Sequence, residues 1–341
     1  LQIALQPRQG LNQVKNNSYL RQLAKKLDSA NIPIFLRFAN EMNGNWVPWY
    51  TDANKYIEKF KTVAKVIKNN TDNVVMVWAP NDFPPDNIND YYPGDKYVDW
   101  VGISMYSIYN PKLDPLNKGI DRTKHIEKFK KIYNDYAHKK PVFISESGIA
   151  YKTKDGIDKT KWASYQIKEF YSYLPMLYPA VKGVFWFDSN ITSSDNSYIA
   201  GFDKSDNMKK NDFYQLSANP KILNTYRESV NKQFYLSEIG QGASFAYLPV
   251  NKLSLPPKIK EISVYIKTHK PFIDKVEFFI ENEKISTDYK IPWQFVYDFS
   301  KYENKSINIK IKAYYQGKLI CTKSINSLVN YNNFEKINWF K

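Results

Sequence analysis

Apolar residues follow two rhythms along this chain. Up to about residue 190, short unbroken apolar runs alternate with stretches in which apolar positions recur every three or four residues. The runs are residues 1–6, Ile34 to Phe38, Val74 to Trp78, Val98 to Met105, Pro141 to Ser145 and Val181 to Phe187, and they read as strands buried on both faces. The periodic stretches read as amphipathic helices. They are Ser18 to Ser29 with Leu20, Leu23 and Leu27; a helix capped by Thr51-Asp52 with Tyr56, Phe60, Val63, Ala64 and Ile67; Asp121 to Ala137 with Ile126, Phe129, Ile132, Tyr133 and Tyr136; and 160–174 with Trp162, Tyr165, Phe170 and Leu174.

Strand-then-helix alternation with continuous apolar strands implies a parallel sheet. Polar or aromatic residues gather just past each strand: Asn40-Glu41, Asn81-Asp82, Tyr106, Glu146-Ser147-Gly148 and Asp188-Ser189-Asn190. That favours an α/β fold of the (β/α)8 TIM barrel kind, whose working face is built at the strands' C-terminal ends. A doubly wound nucleotide fold would carry a Gly-rich phosphate loop after a strand, and the sequence has none. Six units are two short of eight. With Leu1 already opening a strand, the expectation is that the chain begins in mid-domain, the first two units and any signal peptide preceding it.

After about residue 236 the rhythm changes to strict alternation. Ile262-Val264-Ile266, Val276-Phe278-Ile280, Trp293-Phe295-Tyr297-Phe299 and Ile307-Ile309-Ile311-Ala313 mark half-buried antiparallel strands, with hairpin turns due at Asn282-Glu283 and Gln316-Gly317. The expected layout is a barrel domain over 1–240 and a small immunoglobulin-like β-sandwich over 241–341, with Pro249 and Pro256-Pro257 punctuating the join.

Composition narrows the chemistry. A 43% apolar content with 27 Tyr and 20 Phe is ample for a core. The net charge of +15 is spread along the whole chain, often on the polar faces of helices, and with no nucleic-acid motif it reads first as a compositional habit and next as attraction to a cell wall or other anionic glycan. The single cysteine, Cys321, excludes an internal disulfide framework and a Cys-based zinc site. His125, His138 and His269 lie too far apart in sequence to argue for a triad or a metal cluster. No apolar run is long enough to span a membrane. No cofactor or metal is expected, and a monomer is.

The stretch from Ile34 to Tyr50 carries the strongest signal. A buried strand ends on Asn40-Glu41, followed by Asn43-Gly44 and the aromatics Trp46, Trp49 and Tyr50. Aromatic faces stack on pyranose rings, amides bind hydroxyls, and a carboxyl handles the proton of a glycosidic oxygen. The bland alternative is a solvated loop carboxylate beside surface aromatics. A second carboxylate, Glu146, ends a strand three further on, so the two face each other across a barrel mouth, as a glycosidase pair must.

Four motifs in order, Arg37 to Trp49, Tyr92 to Gly102, Ile144 to Gly148 and Gly183 to Asp188, resemble glycoside hydrolase family 26, the β-mannanase family of a retaining clan of (β/α)8 barrels. The resemblance implies an endo-acting glycosidase working by double displacement on a β-linked polysaccharide, secreted or held at the cell surface. It implies Glu41 as acid/base and Glu146 as nucleophile, and puts Leu1 at strand three. By the same resemblance Asn40 bonds the sugar 2-hydroxyl, Tyr106 hydrogen-bonds the nucleophile, Trp186 is the stacking platform, and Trp46 and Trp78 line neighbouring subsites; the bland alternative for each of these aromatics is a core or rim residue. Arg37 is either a substrate or carboxylate partner or a strand arginine that fixes barrel geometry. Typical mannanases of the family carry His where this chain has Asn40, which leaves mannan, mixed-linkage glucan, xylan and related polymers open. The competing reading is an inactive carbohydrate-binding or adhesive protein on a glycosidase barrel. The presence of both glutamates argues against it, because binding alone needs aromatics and amides but not that pair.

Overall fold

A computed structural model describes residues 1–109, 124–153, 156–191, 212–236, 238, 247–250, 254–268 and 270–331. The start of the helix expected at Asp121, the domain join near residue 240 and His269 lie outside the described residues. The chain packs as two compact units. The first comprises Leu1–Leu113, Lys124–Ala163 and Ala180–Leu223; the second takes in Ser164–Pro179 and Asn224–Lys341.

In the first unit, strands β1 (Gln2–Leu5), β2 (Ile34–Phe38), β3 (Val74–Trp78), β4 (Trp100–Val101), β5 (Ser104–Ser107), β6 (Val142–Ile149) and β7 (Val181–Trp186) form one parallel sheet. β4 and β5 are two halves of the strand expected at 98–105, both paired to β6, so Tyr106 lies within a strand. The six strand positions follow chain order. Helices α1 (Ser18–Asp28) and α2 (Ala53–Lys68) connect the first three. Asn17 and Asp52 cap them, accepting hydrogen bonds from the backbone N–H of Leu20 (3.0 Å) and Lys55 (2.9 Å), two donors the helix cannot satisfy itself. The α2 face made by Tyr56, Phe60, Val63, Ala64 and Ile67 is buried, with Tyr56 and Phe60 against Phe38 of β2. Of the stretch expected as one helix from 121 to 137, the described part is a 3-10 turn, His125–Phe129, followed by α3 (Lys130–Tyr136).

Two contacts show that the sheet curls. In a flat sheet, with strands about 4.8 Å apart, β2 and β6 would be about 14 Å apart and β1 and β6 about 19 Å. Yet Arg37 of β2 reaches Glu146 of β6, and the Gln2 side chain of β1 donates to the Ser145 carbonyl of β6 at 3.0 Å. The sheet is a curled half-barrel. Phe35, Val77, Trp100 and Phe143 fill its inside.

The first unit also holds a short antiparallel pair, β8 (Asn190–Ile191) and β9 (Asp212–Phe213). From Ser164 on, helix α4 (Thr160–Leu177) belongs to the second unit. In the second unit, β10 (Ile259–Val264) and β13 (Trp293–Asp298) form one antiparallel sheet, and β12 (Glu283–Asp288), β11 (Lys275–Ile280), β14 (Ser306–Tyr315) and β15 (Lys318–Leu328) another. Phe278 and Phe295 meet between the sheets with ring centroids 4.8 Å apart. Tyr173 of α4 shares this core, and its hydroxyl accepts from the Trp293 N–H at 2.8 Å. Both hairpin turns adopt left-handed backbone, at Glu281-Asn282 and Gln316-Gly317. The first is one residue earlier than expected. Among the described residues no helix is long and apolar enough to cross a membrane.

Candidate active site

Glu41 sits one turn past the end of β2. Its N–H donates to the Ala79 carbonyl beyond β3 at 2.8 Å, and its φ of 60°, with 46° at Ala39, places two non-glycine residues in the left-handed region. Such backbone costs on the order of 1 kcal/mol per residue and persists only where its surroundings enforce it. Enforcement here comes from packed loops: Trp49, itself buried, donates its indole N–H to the Asn40 carbonyl at 2.8 Å, and the Gly44 N–H donates to the Glu41 carbonyl at 3.0 Å. The Glu41 carboxylate accepts from the Trp46 indole N–H at 2.8 Å on one oxygen and from the Asn81 amide at 3.0 Å on the other. Gly44 is required for this. A Cβ there would lie 2.2 Å from the Trp46 ring.

Asn81 is itself locked. Its N–H donates to the Asn43 side-chain oxygen at 2.8 Å, while the Asn43 amide donates to the carbonyls of Asn81 (3.0 Å) and Pro84 (3.1 Å). The sequence marks Asn43 and Asn81 as polar residues past strand ends, but not their clasp, which depends on two loops meeting.

Glu146 is aimed by a bulge. From Val101 to Ser104 the β4–β5 strand advances three residues, whereas the partner positions on β6, Val142 to Glu146, advance four. The N–H groups of Ser145 and Glu146 both donate to the Ile103 carbonyl, at 2.9 and 3.2 Å. The extra residue turns Glu146 to the face that Phe143 occupies, inside the curl. There its carboxylate is ion-paired to Arg37 at 2.5 Å and accepts from the Tyr106 hydroxyl at 2.6 Å. Tyr106 reaches it across Gly148, its register partner on β6. A Cβ at Gly148 would lie 2.9 Å from the Tyr106 ring and 2.8 Å from that of Tyr214.

The two carboxylates have opposite surroundings. Burial, then the negative charge of Glu146, raises the Glu41 pKa above its ordinary 4.5 despite the hydrogen bonds from Trp46 and Asn81. Burial and the nearby Glu146 push the Tyr106 phenol well above its ordinary range, so it stays a neutral donor.

The structure thus brings Arg37, Glu41, Trp46, Tyr106 and Glu146 together. Asn40 is 5% exposed, with its side-chain oxygen lacking any hydrogen-bond partner. Trp186, half-buried on β7, spends its indole N–H on the Tyr214 carbonyl at 3.1 Å. The rings against Tyr106 are those of Tyr214 and Phe187, with centroids 5.2 and 5.8 Å away. Trp78 is a correction. It is fully buried and packs on Tyr92 and Tyr136, at 5.0 and 5.1 Å, so it faces the helix layer and lines no subsite. Position at a strand end does not tell which face a side chain takes.

The sequence pattern of Glycosyl hydrolase family 26 matches residues 7–179, half of the chain. The chain belongs to glycosyl hydrolase family 26. This family 26 chain is 28% identical over 144 residues to a beta-1,3-xylanase of Alcaligenes sp (41% of the chain, 28% of that protein). It is 26% identical over 231 residues to endoglucanase H of Acetivibrio thermocellus (63% and 22%) and 31% identical over 104 residues to a mannan endo-1,4-beta-mannosidase of Bacillus subtilis (26% and 28%). The chain thus spans less than a third of the length of each of these relatives. Among solved structures it is similar to a modular endo-beta-1,4-mannanase from Cellulomonas fimi, with a TM-score of 0.47 at 15% identity over 92% of this chain and 68% of that one.

Proposed function

We propose that the protein is a retaining, endo-acting glycosidase that cleaves a β-linked polysaccharide of the mannan, xylan or β-glucan kind by double displacement. The observation that carries this reading is the contrast between the two carboxyl groups. Glu41 is held in a site that favours its protonated form, and Glu146 is paired with a guanidinium and a phenol.

In the first step Glu41 gives its proton to the glycosidic oxygen while a Glu146 oxygen bonds to the anomeric carbon and the C–O bond to the leaving sugar breaks. Esterification removes the negative charge of Glu146. Because that charge is one of the causes raising the Glu41 pKa, its loss makes Glu41 more acidic at the point where it must act as base. In the second step Glu41 takes a proton from water, the oxygen of which displaces Glu146, and both groups return to their starting states. Asn40, with its unpartnered side-chain oxygen, offers an acceptor for a sugar hydroxyl, and Trp46 and Trp186 are proposed as sugar-facing surfaces. A polymeric substrate too large to enter a cell places the enzyme outside it, secreted or at the surface.

The test is product analysis on a panel of polysaccharides with Glu41→Gln and Glu146→Gln beside the wild type. Each variant is expected to lose about 10²- to 10⁴-fold or more in turnover while remaining folded. An activated aryl glycoside, which leaves without acid help, restores formation of the intermediate in Glu41→Gln. Full polysaccharide activity in either variant contradicts the assignment.

A further inference from the structure

His125 takes no part in the proton and bond steps above, yet it is fully buried beside them. Its two ring nitrogens lie 2.8 Å from the hydroxyls of Ser107 and Ser147. Those serines directly follow Tyr106 and Glu146. Side chains alternate along a strand, so Ser107 and Ser147 emerge from the face of the sheet opposite to Tyr106 and Glu146.

The registers match. On β5 and β6, Glu146 is paired with Ser104, and its hydrogen-bond partner Tyr106 lies two residues further on; Ser147 is paired with Met105, and Ser107 again lies two residues further on. The Tyr106 to Glu146 bond and the Ser107–His125–Ser147 bridge therefore span the same diagonal on opposite faces of the two strands. A slip of one residue between the strands would break both.

We propose that His125 is a positioning residue for Tyr106 and Glu146: gripping β5 and β6 from behind, it fixes the stagger on which the hydrogen bond to the attacking carboxylate depends. This rests on the reading of Glu146 as that carboxylate. The chemistry suits the task. Burial, with the charge of Lys128 adding to it, keeps the imidazole neutral, with one nitrogen donating and the other accepting, and two rotatable hydroxyls satisfy either tautomer. The same 3-10 turn grips β5 a second time, because Lys128 donates to the Tyr106 carbonyl and is ion-paired to the buried Asp82 at 3.3 Å. Two polar residues three apart on one turn thus hold consecutive residues, Tyr106 and Ser107.

A double-mutant cycle between His125 and Tyr106, read in kcat and KM on the polysaccharide the enzyme cleaves, tests this. His125→Leu is expected to lower kcat tenfold or more with KM changed less than twofold. In a Tyr106→Phe background, where the hydrogen bond no longer exists, the same substitution is expected to lower kcat less than twofold. His125→Gln, whose amide reaches one serine, falls between and stands in for His125→Leu if that variant does not fold. Equal losses in both backgrounds, or an unchanged kcat, overturn the proposal. Glu146→Gln separates the two claims: wild-type turnover there sinks the assignment of Glu146, whereas an inactive Glu146→Gln with independent losses at His125 and Tyr106 sinks only the positioning role.

Discussion

Arg37 on β2 and Glu146 on β6 are ion-paired at 2.5 Å across the inside of the curled sheet, with side chains only 8% and 20% exposed. The contact serves fold and chemistry together, since it ties two strand positions across the curl and aims a carboxylate. Removing one member of a largely buried pair leaves the other charge uncompensated, which costs about 3–5 kcal/mol when burial is complete. With Glu146 partly exposed, Arg37→Met is expected to lose about 2 kcal/mol in urea unfolding and at least a hundredfold in kcat/KM. Arg37→Lys keeps the charge without the planar fork and recovers only part of both. Wild-type kcat/KM in Arg37→Met would remove the pair from the mechanism.

The raised pKa of Glu41 makes two pH predictions of definite sign. The acid form is needed for the first step, so the basic limb of kcat/KM lies above 4.5, at the folded pKa of Glu41. Between 4.5 and that pKa the folded state binds more protons at this group than the unfolded state does. Stability at this site therefore falls as pH rises through that window. Glu41→Gln removes the penalty: its thermal midpoint is expected to exceed the wild type's at pH 7, with the difference vanishing below pH 4.5. A midpoint difference that does not change with pH contradicts the linkage.

Much of the barrel-like half is legible in sequence because its strands are buried on both faces and its helices on one. The runs 34–38 and 74–78 coincide with β2 and β3, and Asp52 is the cap expected of it. The strands β12 and β15 were not legible. Glu283–Asp288 is mostly polar and half-buried, Lys318–Leu328 is largely exposed, and they are strands because β11 and β14 offer them backbone partners. The candidate pair Glu41 and Glu146 was legible from strand ends beside aromatics. The bulge that aims Glu146, and the clasp of Asn43 and Asn81 on the Glu41 side, were not, because each arises from the meeting of segments about forty residues apart. Trp78 and Phe187 show the same limit, since only packing decides which face of a strand end an aromatic ring takes.

Two tryptophans expected alike at the mouth should part company on mutation. Trp78→Ala empties a fully buried site and is expected to cost about 3–5 kcal/mol of stability with KM unchanged in the folded fraction. Trp46→Phe deletes the indole donor that favours the Glu41 carboxylate, so the Glu41 pKa rises further and the basic limb of kcat/KM moves up. A downward move would show that the indole acts on Glu41 in some other way.

Gly148 is the floor over which Tyr106 reaches Glu146. Gly148→Ala puts a methyl group 2.8–2.9 Å from two ring carbons, so one ring must shift. The expected cost is about 1–3 kcal/mol of stability from overpacking and about a tenfold fall in kcat, close to that of Tyr106→Phe. Full activity with lowered stability would mean that Tyr214 alone gives way.

The most direct test of double displacement is the anomer first released. Proton NMR of fresh hydrolysate, recorded before mutarotation, is predicted to show the new reducing end in the β-configuration of the bond that was cut. An α-anomer appearing first would mean that water, not Glu146, attacks the sugar, and would contradict the account.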